Sequence, residues 1–277
     1  MKRIFLLGFP VGHSISPAMQ NAALCDLGID WRYELLETPP GDLRDTVARL
    51  RKDDCVGANV TIPHKQAVME WLDEVSDRAQ KIGAVNTIIK RDDKLLGDNT
   101  DAYGVLQSFA EENVSLRDTR VVVFGAGGAA RGTVFALGEA GVSSIAILNR
   151  TQARADALAN FVRQQFPNVV VTTNNVDAVK TADIIINTTS VGMMPHTDTS
   201  PMPNEIAFPR DTIAFDLVYR PLQTKFLRNA ESVGAKTIGG LGMLVHQGAL
   251  SLKLWTGKDA PVSVMRDAAE NALRNTQ

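Results

Sequence analysis

The stretch Gly125-Ala126-Gly127-Gly128-Ala129-Ala130-Arg131-Gly132 constrains this chain more than any other. It follows Arg120-Val121-Val122-Val123-Phe124, a β-branched run that reads as a buried parallel strand. It runs on into Thr133–Ala140, where apolar residues recur at helical spacing. Glycines at a strand-to-helix turn suit a dinucleotide. The first allows the tight turn, the second lets backbone N–H groups approach a pyrophosphate, and the helix N-terminus faces the phosphate charge. The third position is Ala130, a tolerated variant of the pattern. An ordinary glycine-rich turn has the same composition, so this stretch by itself indicates a dinucleotide and nothing finer.

The flanking sequence extends the pattern. Strand-like and helix-like runs alternate through Val121–Phe124, Gly128–Glu139, Ser144–Leu148, Gln152–Gln165, Val169–Thr172, Asp183–Asn187, Thr212–Phe215, Leu222–Val233 and Lys236–Ile238. That order predicts a doubly wound, Rossmann-type domain. The first half reads as a smaller open α/β sheet. Its strands are Ile4–Leu7, Trp31–Leu36, Val56–Thr61 and a hairpin of Ala84–Lys90 with Lys94–Asp98. Its helices are Pro17–Leu27, with Ser16 as N-cap and Pro17 at N1, then Gly41–Leu50, a helix from Pro63 to about Leu72, and Asp101–Glu112. Two last helices, Gly242–Trp255 and Val262–Asn275, are expected to pack back on the first domain. The expected division is 1–101, 102–239 and 240–277. Residues 194–210 hold four prolines and few apolar anchors and read as a mobile loop.

Composition removes several classes of function. The net charge of the 277 residues is -2, so no global basic field draws in nucleic acid or anionic lipid, and an anionic ligand must be held by local groups. Cys25 and Cys55 form neither a metal spacing nor a disulfide framework, and the four histidines show no metal spacing, so no metal is expected. The N-terminal basic and apolar stretches are too short for a signal peptide. Apolar windows are broken by Gly, Arg or Asn well before a membrane span is complete. A cytoplasmic protein in a reducing compartment is expected.

The end of the strand Ser144–Leu148 selects the dinucleotide. An acid there would accept a bond from an NAD ribose hydroxyl. The residues present are Asn149-Arg150-Thr151-Gln152-Ala153-Arg154, with no carboxylate. Two guanidinium groups suit a 2′-phosphate in charge and geometry, which favours NADP.

Four stretches of the first half hold more polar groups than a core needs: Gly12-His13-Ser14-Ile15-Ser16-Pro17, Asn59-Val60-Thr61-Ile62-Pro63-His64-Lys65, Gly83-Ala84-Val85-Asn86-Thr87 and Gly97-Asp98-Asn99-Thr100-Asp101. Each lies near a strand end, where open α/β sheets bind ligands. Singly, each has a structural explanation: serines as caps, asparagines in turns, Asp101 as the N-cap of the helix that follows. Lys65 fits less well as a mere surface residue, because a cation in a first helical turn opposes the helix dipole.

Taken together and in order, these stretches resemble the signatures of the shikimate dehydrogenase family. The resemblance rests on Ser14-x-Ser16-Pro17, Asn59-Val60-Thr61-x-Pro63-x-Lys65, Gly83-Ala84-x-Asn86-Thr87, Asn99-Thr100-Asp101-x-x-Gly104 and the Gly125–Ala129 turn. It continues through Asn149-Arg150-Thr151, Thr189-Ser190-Val191-Gly192-Met193, Asp216-Leu217-Val218-Tyr219-x-Pro221-x-x-Thr224 and Gly240-Leu241-Gly242-Met243-Leu244-Val245-x-Gln247-Gly248-Ala249. It therefore covers essentially the whole chain. One departure is Gly239, where the family often has an acid.

The resemblance implies NADPH-dependent, reversible reduction of 3-dehydroshikimate to shikimate, in the pathway to chorismate and the aromatic amino acids. It implies a substrate cleft between the two domains and a monomer or homodimer with no nucleic-acid or membrane partner. Ser14 and Ser16 would hold the substrate carboxylate. Asn59, Thr61, Asn86, Tyr219 and Gln247 would bind its carboxylate or ring hydroxyls. Lys65 and Asp101 would touch substrate as the catalytic pair. Gly125, Ala126, Gly127, Gly128 and Ala129 would carry the pyrophosphate, and Asn149, Arg150, Thr151 and Arg154 the 2′-phosphate. Thr188, Leu217, Gly240 and Met243 would line the nicotinamide side, with Asp77 as a further cofactor contact.

Three alternatives remain. A quinate/shikimate dehydrogenase with dual substrate and NAD(P) use tends to place an acid soon after the asparagine–arginine pair, where this chain has Thr151 and Arg154. A methylenetetrahydrofolate dehydrogenase would not predict the Asn99-Thr100-Asp101 or Gln247 motifs. A non-catalytic ligand sensor would be marked by loss of Lys65 or Asp101, and both are present.

Overall fold

The computed structural model describes residues 1–203 and 205–275. It divides into two compact units, residues 1–104 with 245–277 and residues 105–244. Residues 276 and 277, at the end of the predicted 240–277 segment, and Asn204, in the predicted loop 194–210, lie outside the described residues.

The first unit is built on a six-stranded mixed sheet. Its strands are β1 (Lys2–Gly8), β2 (Trp31–Glu37), β3 (Cys55–Val60), β4 (Glu74–Val75), β5 (Thr87–Arg91) and β6 (Lys94–Asp98), in the order β2-β1-β3-β5-β6-β4. β1 runs parallel to β2 and β3, while β5 is antiparallel to both β3 and β6. All six residues of β3 are buried, as expected of a central strand covered on both faces. Register fixes what lies at one end of this sheet: Asn59 pairs with Thr87, and Thr87 pairs with Asp98. The chain therefore leaves β1, β3 and β6, and enters β5, at the same end. The four polar stretches, far apart in sequence, emerge together there.

Helices α1 (Ser16–Asp26), α2 (Leu43–Arg49) and α3 (Asp77–Ile82) belong to this unit. So do α9 (Val262–Arg274) and the greater part of α8 (Gly240–Thr256), and α4 (Asp101–Glu111) begins in it. The apolar core gathers Leu7, Leu43, Val47, Ala58, Val68, Ile88 and Leu95. Gln20 of α1 donates to the Gly248 carbonyl of α8, and Trp255 Nε1 donates to the Ile88 carbonyl of β5 at 2.9 Å.

Two local expectations are corrected. Ser16 is not an N-cap: it is the first helical residue, Ile15 holds the cap position without a side-chain cap bond, and Pro17 is second. The local acceptor is Ser14, whose Oγ takes the Ser16 N–H. Nor does a helix start at Pro63; only Ala67–Trp71 is helical, as a 3-10 turn. The Lys65 carbonyl accepts Val85 N–H at 2.7 Å, and the His64 ring bonds the Thr38 carbonyl at 2.6 Å. These long-range bonds pin 61–66 as turns against the sheet. The short β4 and α3 escaped the sequence pattern because two strand residues and six helical ones are too few to show a period.

The second unit holds an all-parallel sheet of β7 (Arg120–Phe124), β8 (Ser144–Leu148), β9 (Val170–Thr173), β10 (Ile184–Asn187), β11 (Ile213–Asp216) and β12 (Lys236–Ile238). The spatial order is β12-β11-β10-β7-β8-β9, which is the doubly wound dinucleotide topology. Helices α5 (Gly128–Ala140), α6 (Gln152–Gln165) and α7 (Lys225–Ser232) complete it. Strand order reverses between β7 and β10, so the ligand crevice of such a sheet opens at their carboxyl ends. Among the described residues no helix is long and apolar enough to cross a membrane.

Gly57 shows how tightly the first unit is closed. A Cβ there would stand 2.2 Å from the Ile88 carbonyl oxygen and 2.6 Å from Trp255 Nε1. Gly57→Ala must displace β5 or the indole, an overpacking cost of about 1–3 kcal/mol. For each kcal/mol lost, thermal denaturation followed by circular dichroism should show a melting point lower by roughly 2–4 °C. An unchanged melting point would show that the contact yields freely.

Candidate active site

In the first unit, Lys65 Nζ donates to Asp101 Oδ2 at 2.5 Å, with side chains 13% and 3% exposed. Such burial is costly unless both ions are paired and further hydrogen-bonded. The other carboxylate oxygen meets that need: Asp101 Oδ1 accepts from Asn86 Nδ2 at 2.8 Å.

The Asn86 amide cannot be turned over. Its Oδ1 accepts the Thr100 backbone N–H at 2.7 Å, and only an oxygen can do so. Its Nδ2 consequently faces Asp101, Thr100 Oγ1 at 2.9 Å and Gln247 Oε1 at 3.3 Å. Asn59 lies beneath. Its Oδ1 accepts the Tyr33 hydroxyl at 2.9 Å, while its Nδ2 donates to the Asn86 carbonyl, Thr87 Oγ1 and Ser251 Oγ. Both polar atoms of the Asn59 side chain are thus engaged by the protein. Asp101, expected as a helix cap, is instead the first residue of α4, and its own N–H donates to Asn99 Oδ1 at 3.0 Å.

The structure therefore brings Lys65, Asp101, Asn86, Asn59 and Gln247 into one connected network. Ser14 and Ser16 form a second pair, with hydroxyls 3.1 Å apart. Thr61 follows β3 and is partly exposed. Thr87 and Thr100 join from the quoted polar stretches, though no role is expected of them there, while Tyr33 and Ser251 lie outside every quoted motif. Ser251 had a readable signal, since it lies one helical turn beyond Gln247. Tyr33 had none, because its partner is 26 residues away.

In the second unit the glycine turn leaves β7 at the switch point. Gly125 has φ +111, and a Cβ on it would meet Thr188 Oγ1 at 2.5 Å. Gly127 sits at the N-cap of α5, and a Cβ there would meet nothing within 4 Å. The first amides of α5 have no side-chain cap, so they and the open space beyond Gly127 fit a pyrophosphate. At the tip of β8, Arg150 and Arg154 are exposed and, among the described residues, join no ion pair, while Asn149 Nδ2 donates to the Thr151 carbonyl. Thr151 holds the N-cap position of α6, but its hydroxyl makes no cap bond. This donor set fits a 2′-phosphate.

Thr188 directly follows β10, and Leu217 and Tyr219 follow β11. Gly240 and Met243 open α8. Gly240 packs so closely that a Cβ would stand 2.3 Å from the Leu217 carbonyl oxygen. Asp77 opens α3 in the first unit and is exposed. No group of three or more metal-ligating side chains occurs among the described residues.

A carboxylate unanticipated as a functional group lies at the end of β11. Asp216 is fully buried; its Oδ1 accepts from Asn187 Nδ2 at 2.9 Å and Val218 N at 3.0 Å, and its Oδ2 from the Thr224 hydroxyl at 2.6 Å. Burial pushes its carboxyl up to about 6, opposed by those three bonds.

A parallel sheet of this order with an uncapped helix at its switch point is the architecture of a dinucleotide-binding unit; the other unit carries a buried lysine–carboxylate pair. Residues 6–88 match the profile of the shikimate dehydrogenase substrate binding domain, residues 108–215 that of shikimate / quinate 5-dehydrogenase, and residues 240–270 that of the shikimate 5'-dehydrogenase C-terminal domain. Shikimate dehydrogenase (NADP(+)) of Symbiobacterium thermophilum is 43% identical over 97% of this chain and 93% of its own. The enzyme of the same name from Geobacillus kaustophilus is 43% identical over 99% of this chain and 100% of its own. Shikimate 5-dehydrogenase of Thermus thermophilus, solved with NADP(H) and shikimate, is 42% identical, with a TM-score of 0.90 over 99% of this chain and 100% of its own. The chain belongs to the shikimate dehydrogenase family.

Asp216 yields a pH test. Its raised carboxyl means that the folded protein takes up this proton before the unfolded chain does. The group's contribution to stability therefore falls as pH rises from the unfolded value of 3.8 to about 6, and is at its least favourable above that. Asp216→Asn cannot ionise and can keep all three bonds, with its amide donating to the Thr224 oxygen. Urea unfolding should show the variant gaining on wild type by about 2 kcal/mol between pH 4 and pH 7. A constant difference would mean that Asp216 does not titrate in that window.

Proposed function

We propose that this chain reduces 3-dehydroshikimate to shikimate, reversibly and with NADPH. The observation that carries the reading is the buried Lys65–Asp101 pair, held by Asn86 at the polar end of the first sheet. Reduction of a ketone leaves an alkoxide, which needs a proton and a nearby positive charge. NADPH, when bound, supplies the hydride. Lys65 donates its proton to the new alkoxide oxygen and recovers one from solvent. Asp101 holds the ammonium in place, and Asn86 keeps the carboxylate from turning away.

Substrate binding follows from the same network. Ser14 and Ser16 present two adjacent hydroxyls that suit a carboxylate. Asn59, Thr61, Asn86, Tyr219 and Gln247 bind the substrate's carboxylate or ring hydroxyls, and Asn59 also holds Asn86 through the latter's carbonyl. The division of labour is a substrate-binding catalytic segment at 1–101, an NADP-binding segment at 102–239, and helices from 240 onward that return to the first unit.

On the cofactor side, Gly125, Ala126, Gly127, Gly128 and Ala129 receive the pyrophosphate. Asn149, Arg150, Thr151 and Arg154 hold the 2′-phosphate. Thr188, Leu217, Gly240 and Met243 line the nicotinamide side, and Asp77 is a further contact. The unpaired arginines and the absence of an acid at the β8 tip favour NADP over the NAD use of a dual quinate/shikimate enzyme.

Two assays test this. Initial rates with 3-dehydroshikimate, shikimate and quinate should show activity confined to the first two, and a KM for NADPH about tenfold or more below that for NADH. Equal use of NADH, or comparable turnover of quinate, would favour the dual enzyme. Lys65→Ala should lower kcat by about 10²–10⁴-fold, with a much smaller change in NADPH affinity. Nearly unchanged turnover would remove Lys65 from its role.

A further inference from the structure

Asp216 and Thr224 are motif residues to which the proposed reaction gives no task. They lie far from Lys65 and Asp101 in sequence and in the other unit. Yet Asp216 anchors three segments at once. Through Val218 N it holds the turn after β11, which carries Leu217. Through the Thr224 hydroxyl it holds the start of α7, since Thr224 Oγ1 also accepts the Leu227 N–H at 3.2 Å.

Through Asn187 it reaches the loop after β10. Asn187 Oδ1 accepts both the N–H and the hydroxyl of Thr189, at 3.0 and 2.7 Å, and its Nδ2 donates to the Val191 carbonyl at 3.1 Å as well as to Asp216. The amide orientation is fixed, because a backbone N–H lies on one side and a carboxylate on the other. Leu217 N–H in turn donates to the Asn187 carbonyl at 2.9 Å. Thr188 and Leu217, each the first residue beyond its strand, are therefore set by one buried node.

The geometry points to Asp216 as a positioning residue for the cofactor. Acting through Asn187, Thr224 and the Val218 amide, it holds the loops after β10 and β11 in the arrangement that the nicotinamide end of NADP requires. Asp216 does not touch the cofactor. This role rests on the proposed reading of Thr188 and Leu217 as nicotinamide-side residues. Without the carboxylate, Asn187 Nδ2 and the Val218 N–H lose their acceptor in a buried setting, and both loops lose their common anchor.

The test measures NADPH affinity of the full-length chain by the change in nicotinamide fluorescence on binding. Asp216→Ala should weaken NADPH about tenfold or more, the scale of one lost hydrogen bond to a charged group, with one site still bound per chain. A merely structural role would do the reverse, lowering the fraction of chains that bind and leaving the dissociation constant unchanged. Asp216→Asn, which keeps the acceptor for Val218 and Asn187, should restore affinity to within about threefold of wild type. Where Asp216→Ala fails to fold, Thr224→Val decides, because it removes a single hydroxyl and should weaken NADPH severalfold. Wild-type affinity in Asp216→Ala, or in Thr224→Val when that variant decides, overturns the role of Asp216 and leaves the proposed reaction standing. A wild-type chain that does not bind NADPH overturns both.

Discussion

The site in the first unit depends on the orientation of one side-chain amide. Thr100 N–H demands an oxygen on one side of Asn86, and the Asp101 carboxylate demands an N–H on the other. A buried lysine and a buried carboxylate are stable only as a complete set. With the amide fixed, one oxygen of Asp101 is committed and the other is left for Lys65. The cost of burying the pair is offset by bonds whose direction cannot reverse. The Asn59, Thr87 and Ser251 network behind Asn86 carries the same constraint further into the protein.

The second unit solves a related problem in the same way. Asn187 also has a backbone N–H on its oxygen and a carboxylate on its nitrogen. In each unit an asparagine at a strand end converts a buried negative charge into a fixed position for the backbone around it. The difference is in the partner. Asp101 is balanced by an ammonium, whereas Asp216 is balanced by neutral donors alone, which is why burial shifts its ionisation so far.

Much of this was legible in the sequence. The alternation of strands and helices in the second half gave the doubly wound sheet, because its short strands are almost wholly apolar and buried and its helices keep a regular apolar spacing. β8, α6 and β12 fell on their predicted residues. The glycine turn, the arginines at the β8 tip and the four polar clusters were visible because chemistry needs unusual residues close together. What escaped depends on partners distant in the chain. The segment after Pro63 looks helical in isolation and is held as turns by Thr38 and Val85. Ser16 looks like a cap but lies inside the helix. Asp216 shares a quoted motif with Val218 and Thr224, but its link to Asn187, 29 residues back, has no sign in the sequence.

Gly125 and Gly127 stand two residues apart, and the fold treats them differently. Gly125 is compelled by its own backbone, with a positive φ and no room for a methyl group. Gly127 has φ -94 and ψ -168, a conformation open to any residue, and its missing side chain would point into empty space. A serine or aspartate there would cap α5 better than glycine does, by a few tenths of a kcal/mol. It would also satisfy the amides of that turn and, as aspartate, bring a negative charge to a place suited to phosphate. The helix start is therefore less stable than a capping residue would make it, and its first amides are left without a side-chain acceptor.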